Sequence, residues 1–247
     1  MKKLLVLLFI TSFGQITFSQ LGVEFVPDCE LPFKSIAVKR DIDENCGARG
    51  TKLKNNARAN QLQNELKNNF CATGEAVQMI VDDFIELHNI VKESGMEYGN
   101  SRLVPKDRSV LTELGEGTKV YFEGYIYSAR YVNLYHGEGV DCYLKKEENN
   151  DIHIEMSDEI GEKEKCKLIS AEVSPHFRPD AWTPENLNRA KKEGVKVRIT
   201  GQLFFDGSHD ACPDGNDSFR GSTWEIHPVY RIQVFVEGNW VDIHKWH

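Results

Sequence analysis

The chain has 247 residues, with 30 Lys and Arg against 38 Asp and Glu, giving a formal net charge of -8. Such an acidic chain has no global attraction to phosphate backbones, so nucleic-acid binding would need a local basic patch, and none dominates. The length suffices for one large domain or two small ones, and the ordinary apolar content with plentiful charge places the chain in the globular class.

Residues 1–19 read as an export signal. Lys2 and Lys3 form its positive start, Leu4 to Ile10 is a continuous apolar run, and Ser19 supplies a small residue before Gln20. That run is too short to span a membrane, and no later segment is apolar enough to do so. Export to the periplasm or the extracellular space follows as the expectation. Six cysteines accompany it: Cys29, Cys46, Cys71, Cys142, Cys166 and Cys212. An even number in an exported chain suggests disulfides, although spacing does not reveal the pairing. Three fall on each side of residue 117, so either a bridge crosses between the halves or each half keeps a free thiol.

Residues 21–54 are mixed and loop-rich. Residues 55–95 read as a small helical region. Ala57, Leu62 and Leu66 lie near helical spacing, Thr73-Gly-Glu75 offers a cap, and Val77, Ile80, Val81, Phe84, Leu87 and Val91 share a helical face before Gly95. His88 on that helix reads as a packing or surface residue. The turn formers and Pro105 within 97–117 mark a boundary.

From Thr118 the apolar period becomes two. Val120, Phe122, Gly124 and Ile126 alternate with Lys119, Tyr121, Glu123 and Tyr125, and Gly124 is a candidate bulge. A second strand is expected to begin near Val140 and to resume with Ile152, Ile154 and Met156; a third runs from Lys167 to Ser174. Thr183 then caps a helix with Pro184 in its first turn and Gly194 at its end. Strands over 195–205 and 223–236 follow, with Pro228 requiring an edge or a bend in the last.

Three strand blocks, a helix and two strands make the order of an OB-type barrel. The predicted class is α+β: a five-stranded OB-type β-barrel over residues 117–247, with one helix between strands three and four, preceded by a disulfide-containing, largely helical region over 20–116. A β-sandwich gives no reason for a well-capped helix at that position.

Strand parity divides the barrel. If Ile152, Ile154 and Met156 face the core, then Asp151, His153 and Glu155 share the other face. By the same rule Glu172, Ser174 and His176 oppose Ala171 and Val173, Glu225 and His227 oppose Trp224 and Ile226, and Gln202 and Asp206 oppose Leu203 and Phe205. Three strands thus each offer a histidine and a carboxylate. The candidate ligand-binding residues are His153, Glu155, Glu172, His176, Arg178, Glu225 and His227. Of these His153, His176 and His227 are candidate ligands for zinc, manganese or iron, so a divalent metal is the cofactor to consider. A solvated face with cross-strand hydrogen bonds is the alternative. Arg178 could hold an anion near the helix start, or a structural ion pair. Asp206, His209, Asp210, Asp214 and Asp217 could bind calcium, but their spacing misses the EF-hand pattern and a polar turn fits better. Tyr121, Tyr125, Tyr127 and Tyr131 alternate on the outer face of the first strand, where they could stack bases or sugars or lie under the helical half. There is no nucleophile elbow, phosphate-cradling glycine loop or His-Glu-x-x-His.

The blocks DIHI (151–154), AEVSPHFRP (171–179), TGQLFFDGSH (200–209) and WEIHP (224–228), with KNNFCA (67–72), resemble those of a family of exported bacterial proteins. The resemblance spans most of the mature chain. It implies an exported, bacterial, OB-like protein and carries over no catalytic residue. Its blocks include His153, His176, His209 and His227. Two functions follow as expectations. One is a secreted or periplasmic binding module for a ligand or a protein partner. The other is a metal-dependent hydrolase, with phosphodiesters as one substrate class, using His153, His176 and His227 with Glu172 or Glu225.

Overall fold

The computed structural model describes residues 25, 27, 29–51, 58–96, 105, 107–212 and 220–247; the expected export signal lies outside them. Five strands close into a barrel: β2 (Lys119–Tyr131), β3 (Ile152–Ser157), β4 (Ile169–Val173), β5 (Val197–Phe205) and β6 (Trp224–Val236). Around the barrel the order is β2-β3-β4-β6-β5, and β5 returns to β2. All pairs are antiparallel except β4 with β6, as OB connectivity demands. Two short strands extend the sheet. β1 (Val77–Met79) runs parallel to β2, and β7 (Asn239–Asp242) pairs with the end of β6.

The lining is the apolar half of the alternation. Val120, Phe122, Ile152, Ile154, Met156, Ala171, Ile199 and Ile226 are all buried in one continuous core. Each large aliphatic or aromatic side chain removed from water there contributes about 1.5–3 kcal/mol. The long first strand serves two neighbours, Lys119–Gly124 with β5 and Tyr125–Tyr131 with β3. Gly124 sits at that change of partner. A Cβ there would stand 2.1 Å from the Ser157 carbonyl oxygen, so only glycine permits the approach.

The bulge predicted at Gly124 instead falls at Tyr127, where the register slips between Ile126 and Ser128. One extra residue reverses the parity beyond it. Tyr131, expected outside with Tyr121 and Tyr125, therefore turns with Ala129 to pack on the core, and Ser128 and Arg130 face out. The second strand begins at Ile152, since Val140 belongs to a turn.

The helix between β4 and β5, α5 (Pro184–Glu193), forms as its sequence directs. Thr183 Oγ1 accepts the Asn186 amide at 3.2 Å, and Gly194 closes the helix at φ 64°. Leu187 and Ala190 are fully buried in the core, and the Asn188 side chain bonds both backbone groups of Ala129 on β2. Among the described residues four more helices precede the barrel: α1 (Asp41–Asn45), α2 (Arg58–Lys67), α3 (Val81–Glu93) and α4 (Ser109–Glu113). The expected helical face from Val77 is interrupted, because residues 77–79 extend β2's sheet and α3 begins only at Val81. His88 is a packing residue, its Nδ1 2.9 Å from Thr223 Oγ1.

Phe25, Phe33, Phe70 and Phe84 join the same core as the barrel lining. Three disulfides staple the whole: Cys29–Cys71, Cys46–Cys142 and Cys166–Cys212. The second crosses from the N-terminal part into the barrel's first long loop. Among the described residues no helix is long and apolar enough to cross a membrane.

Candidate functional site: a buried histidine–carboxylate cluster

Register builds the centre of the site. His153 on β3 lies directly across from Glu172 on β4. The parallel pairs Ser170–Glu225 and Ala171–Ile226, continued by one residue, set Glu172 beside His227 on β6. One carboxylate thus stands between two imidazoles. His153 Nε2 is 2.9 Å from Glu172 Oε1, and His227 Nδ1 is 2.9 Å from Glu172 Oε2. The distances are those of ion pairs, but the angles fall short of well-formed hydrogen bonds, so neither Glu172 oxygen has an aligned donor. His227 Nδ1 also reaches Glu225 Oε1 at 3.2 Å.

The polar face is not open to solvent. Lys67, at the end of α2, brings its ammonium 3.8 Å from Glu172 Oε2 with only 4% of its side chain exposed. It also lies over the ring of Phe204, 5.9 Å from the centroid. Arg220 closes the other side, 2.6 Å from Glu225 Oε2 and 3.1 Å from Asp206 Oδ2. His209 binds Asp206, and Gln202 ties α2 to β6 by donating to the carbonyls of Leu66 and His227. The network reaches the surface at His153 and His209. Their rings meet edge to face at 6.3 Å, and their side chains are 16% and 44% exposed.

Burial and charge compete at His153, His227, Glu172, Lys67 and Asp206. Burial alone would lower both histidines, but Glu172 outweighs it and raises His153 to about 9 and His227 to about 10. Burial would raise Glu172, yet His153, Lys67 and His227 hold it well below the carboxylate range. Burial would lower Lys67, which Asp206 and Glu172 instead hold well above its ordinary value. Asp206, opposed by burial, is likewise held low by Lys67 and His209.

Asp141 and Asp151 are different. Both are 1% exposed. Neither oxygen of Asp141 and not Oδ2 of Asp151 has a hydrogen-bond partner, and among the described residues no basic nitrogen lies within ion-pair distance of either. Burial pushes Asp151 up to about 7, with Glu172 and Glu138 adding to the rise and His227 opposing it. Asp141 is raised well above its ordinary value by burial and by the neighbouring Asp151.

The other sequence-predicted residues go elsewhere. His176 does not join His153 and His227: its Nδ1 is 2.8 Å from Asp43 Oδ1, and its ring stacks on Phe25 at 4.3 Å. Glu155 faces outward as parity requires, but pairs with Arg130 at 2.7 Å and with Ser128. Arg178 donates to the carbonyls of Asn150 at 2.8 Å and Glu147 at 2.6 Å, so its guanidinium ties the first long loop to the start of α5. Asp206 turns into the cluster rather than into a calcium loop, and Asp214 and Asp217 lie outside the described residues. Lys67, Asp141 and Arg220 carried no signal along the chain, because nothing in a polar helix end or a loop says which strand it will cover.

Fold and site together define an OB-type barrel whose polar face is roofed and whose charged groups form an internal network. No family model matches the chain, and no curated protein matches it in sequence. Among solved structures it is similar to the Entamoeba histolytica asparaginyl-tRNA synthetase in complex with asparaginyl-adenylate, at 19% identity and a TM-score of 0.28. That match covers 50% of this chain and 22% of the synthetase chain, so the present chain spans about a fifth of that protein's length.

Proposed function

We propose that this protein is an exported binding module that takes a small polar ligand into the histidine–carboxylate cluster, entering past His153 and His209. One observation carries the reading: Glu172, held between His153, His227 and Lys67, is 1% exposed in a network that nevertheless reaches solvent at one edge. Charges buried this way contribute little net stability, since apolar replacements of similar volume often serve a fold as well or better. Concentrated in one place with strongly shifted pKa values, they favour a binding or reactive site. Lys67 and Arg220 cover the face where an open OB barrel would lay a polymer, which favours a small ligand. The three disulfides suit an oxidising, exported setting. Membership of the resembled bacterial family is part of the same proposal.

Calorimetry on the disulfide-intact protein tests the reading. The panel holds divalent cations, small carboxylates, phosphate, oligosaccharides and single-stranded oligonucleotides. A small ligand should bind, and His153→Ala should weaken it by about 10-fold or more while leaving the fold intact. Binding confined to polymers and indifferent to His153→Ala overturns it.

A hydrolytic reading draws on the pairing of His153 with Glu172 at the mouth of the cluster, an acid–base group with its orienting carboxylate. Turnover of an activated phosphodiester or ester that disappears in His153→Ala would establish it, and absence of turnover with every divalent ion would exclude it.

A further inference from the structure

The cluster contains two overlapping sets of potential metal ligands. Asp151, Glu172 and His227 each offer an atom within 4.8 Å of the others, and so do Glu172, Asp206 and Glu225. All five residues are buried. The second set already has its cations: Lys67 lies beside Glu172, and Arg220 bridges Asp206 and Glu225. In the first set Glu172 keeps Lys67 and His153 as neighbours, whereas among the described residues no basic nitrogen lies within ion-pair distance of Asp151. Asp151 Oδ2 has no hydrogen-bond partner, and the neighbouring Asp141 has none on either oxygen. A buried carboxyl oxygen with no hydrogen-bond partner is costly, and a bound cation would supply the missing partner. The backbone holds these residues in place for such a role. Glu172 and His227 lie on adjacent barrel strands, and Asp151 immediately precedes β3. Asp141 is fixed by the neighbouring Cys142, which is bonded to Cys46.

We infer that Asp151, Glu172 and His227 bind one divalent transition-metal ion, with Asp141 as the adjacent carboxylate that orients or completes the site. One imidazole and two or three carboxylates form a donor set for zinc or manganese rather than for a thiolate-seeking ion. The metal site differs from the one the sequence suggests, because His176 is engaged by Asp43. The inference rests on the proposed reading of the cluster as the ligand site and narrows its ligand to a cation.

The test uses the untagged, disulfide-intact protein, freed of metal with a chelator and titrated with zinc and manganese by calorimetry and with cobalt by visible absorption. One ion per chain is expected. Asp151→Asn should weaken it by about 10-fold or more, Asp141→Asn by less, and His176→Asn not at all. Side-chain nitrogen NMR of the unmodified protein keeps the test decisive should a variant fold poorly: zinc should shift the His227 ring nitrogens. Three results overturn the inference: no stoichiometric ion, an unshifted His227, or an ion lost on His209→Ala but retained in Asp151→Asn. If no ion binds but a small carboxylate or phosphate still depends on His153, the metal inference falls and the broader binding reading stands. If no ion binds and nothing else in the panel depends on His153, both fall.

Discussion

Glu172 is the residue on which the cluster's electrostatics turn. It offers one carboxylate to two imidazoles and an ammonium, so its neighbours' protonation is linked to folding. His153 and His227 titrate at about 9 and about 10 in the folded chain, above the ordinary value of about 6.5. Each therefore adds stability that is complete below about 6.5 and is lost as the pH rises through 9 and 10. Asp151, raised to about 7, has the same sign over a lower range, between its unfolded value and about 7. Glu172 has the opposite sign: held low, it adds stability above its ordinary value that is lost as the pH falls through its folded one. With chelator present, thermal unfolding should move to lower temperature on the alkaline side, between about pH 6.5 and 10. Glu172→Gln should flatten that alkaline decline. It should also destabilise the protein by about 3–5 kcal/mol in denaturant unfolding near neutrality, because it strands buried cations. An alkaline limb unchanged by Glu172→Gln would mean that other groups set it.

At the scale of elements, the helix α5 was legible down to its caps. Thr183, Pro184 and Gly194 are local signals, and local signals survive folding when tertiary contacts agree with them. Thr183→Ala should cost about 1 kcal/mol by urea unfolding, since Asn186 loses its acceptor. A loss within error would mean that packing of Leu187 and Ala190 alone holds the helix. The strands were legible through their period of two, which is also local. The bulge was not. Gly124 invites a bulge by its flexibility, but its place is required by the approach of the Ser157 carbonyl, and the slip is at Tyr127. Register depends on what the partner strand presents, and β3 lies 25 or more residues along the chain from Tyr127. That one slip explains why Tyr131 packs on the core while Tyr121 and Tyr125 keep the expected face.

The whole molecule joins its two halves by a common core and one crossing disulfide. Phe25, Phe33 and Phe70 are continuous with the barrel lining, and Cys46–Cys142 closes a span of 96 residues. Replacing both cysteines by serine should cost about 2–5 kcal/mol, measured by chemical denaturation. It should also free the loop that carries Asp141, read as faster amide exchange over residues 132–151. Unchanged exchange there would show that the Arg178 bonds to Asn150 and Glu147 suffice to hold the loop. The strand-parity argument found His153, Glu172, Glu225 and His227 on one face, and the barrel does gather them. It also grouped His176 with them, since parity says which face a side chain takes and nothing about how far along the strand a site extends.

Periodicity and capping chemistry, which act over a few residues, were enough to specify a five-stranded barrel with its helix between the third and fourth strands and a polar face rich in imidazole and carboxylate. Convergence needed the fold. Barrel closure sets β4 beside β6, and packing of α2 places Lys67 over Glu172. A cross-link from a distant segment fixes the loop of Asp141. Each of these depends on contacts between residues far apart in the chain. They turned an apparently solvated face into an enclosed cluster of paired charges beside Asp141 and Asp151, three of whose oxygens have no hydrogen-bond partner.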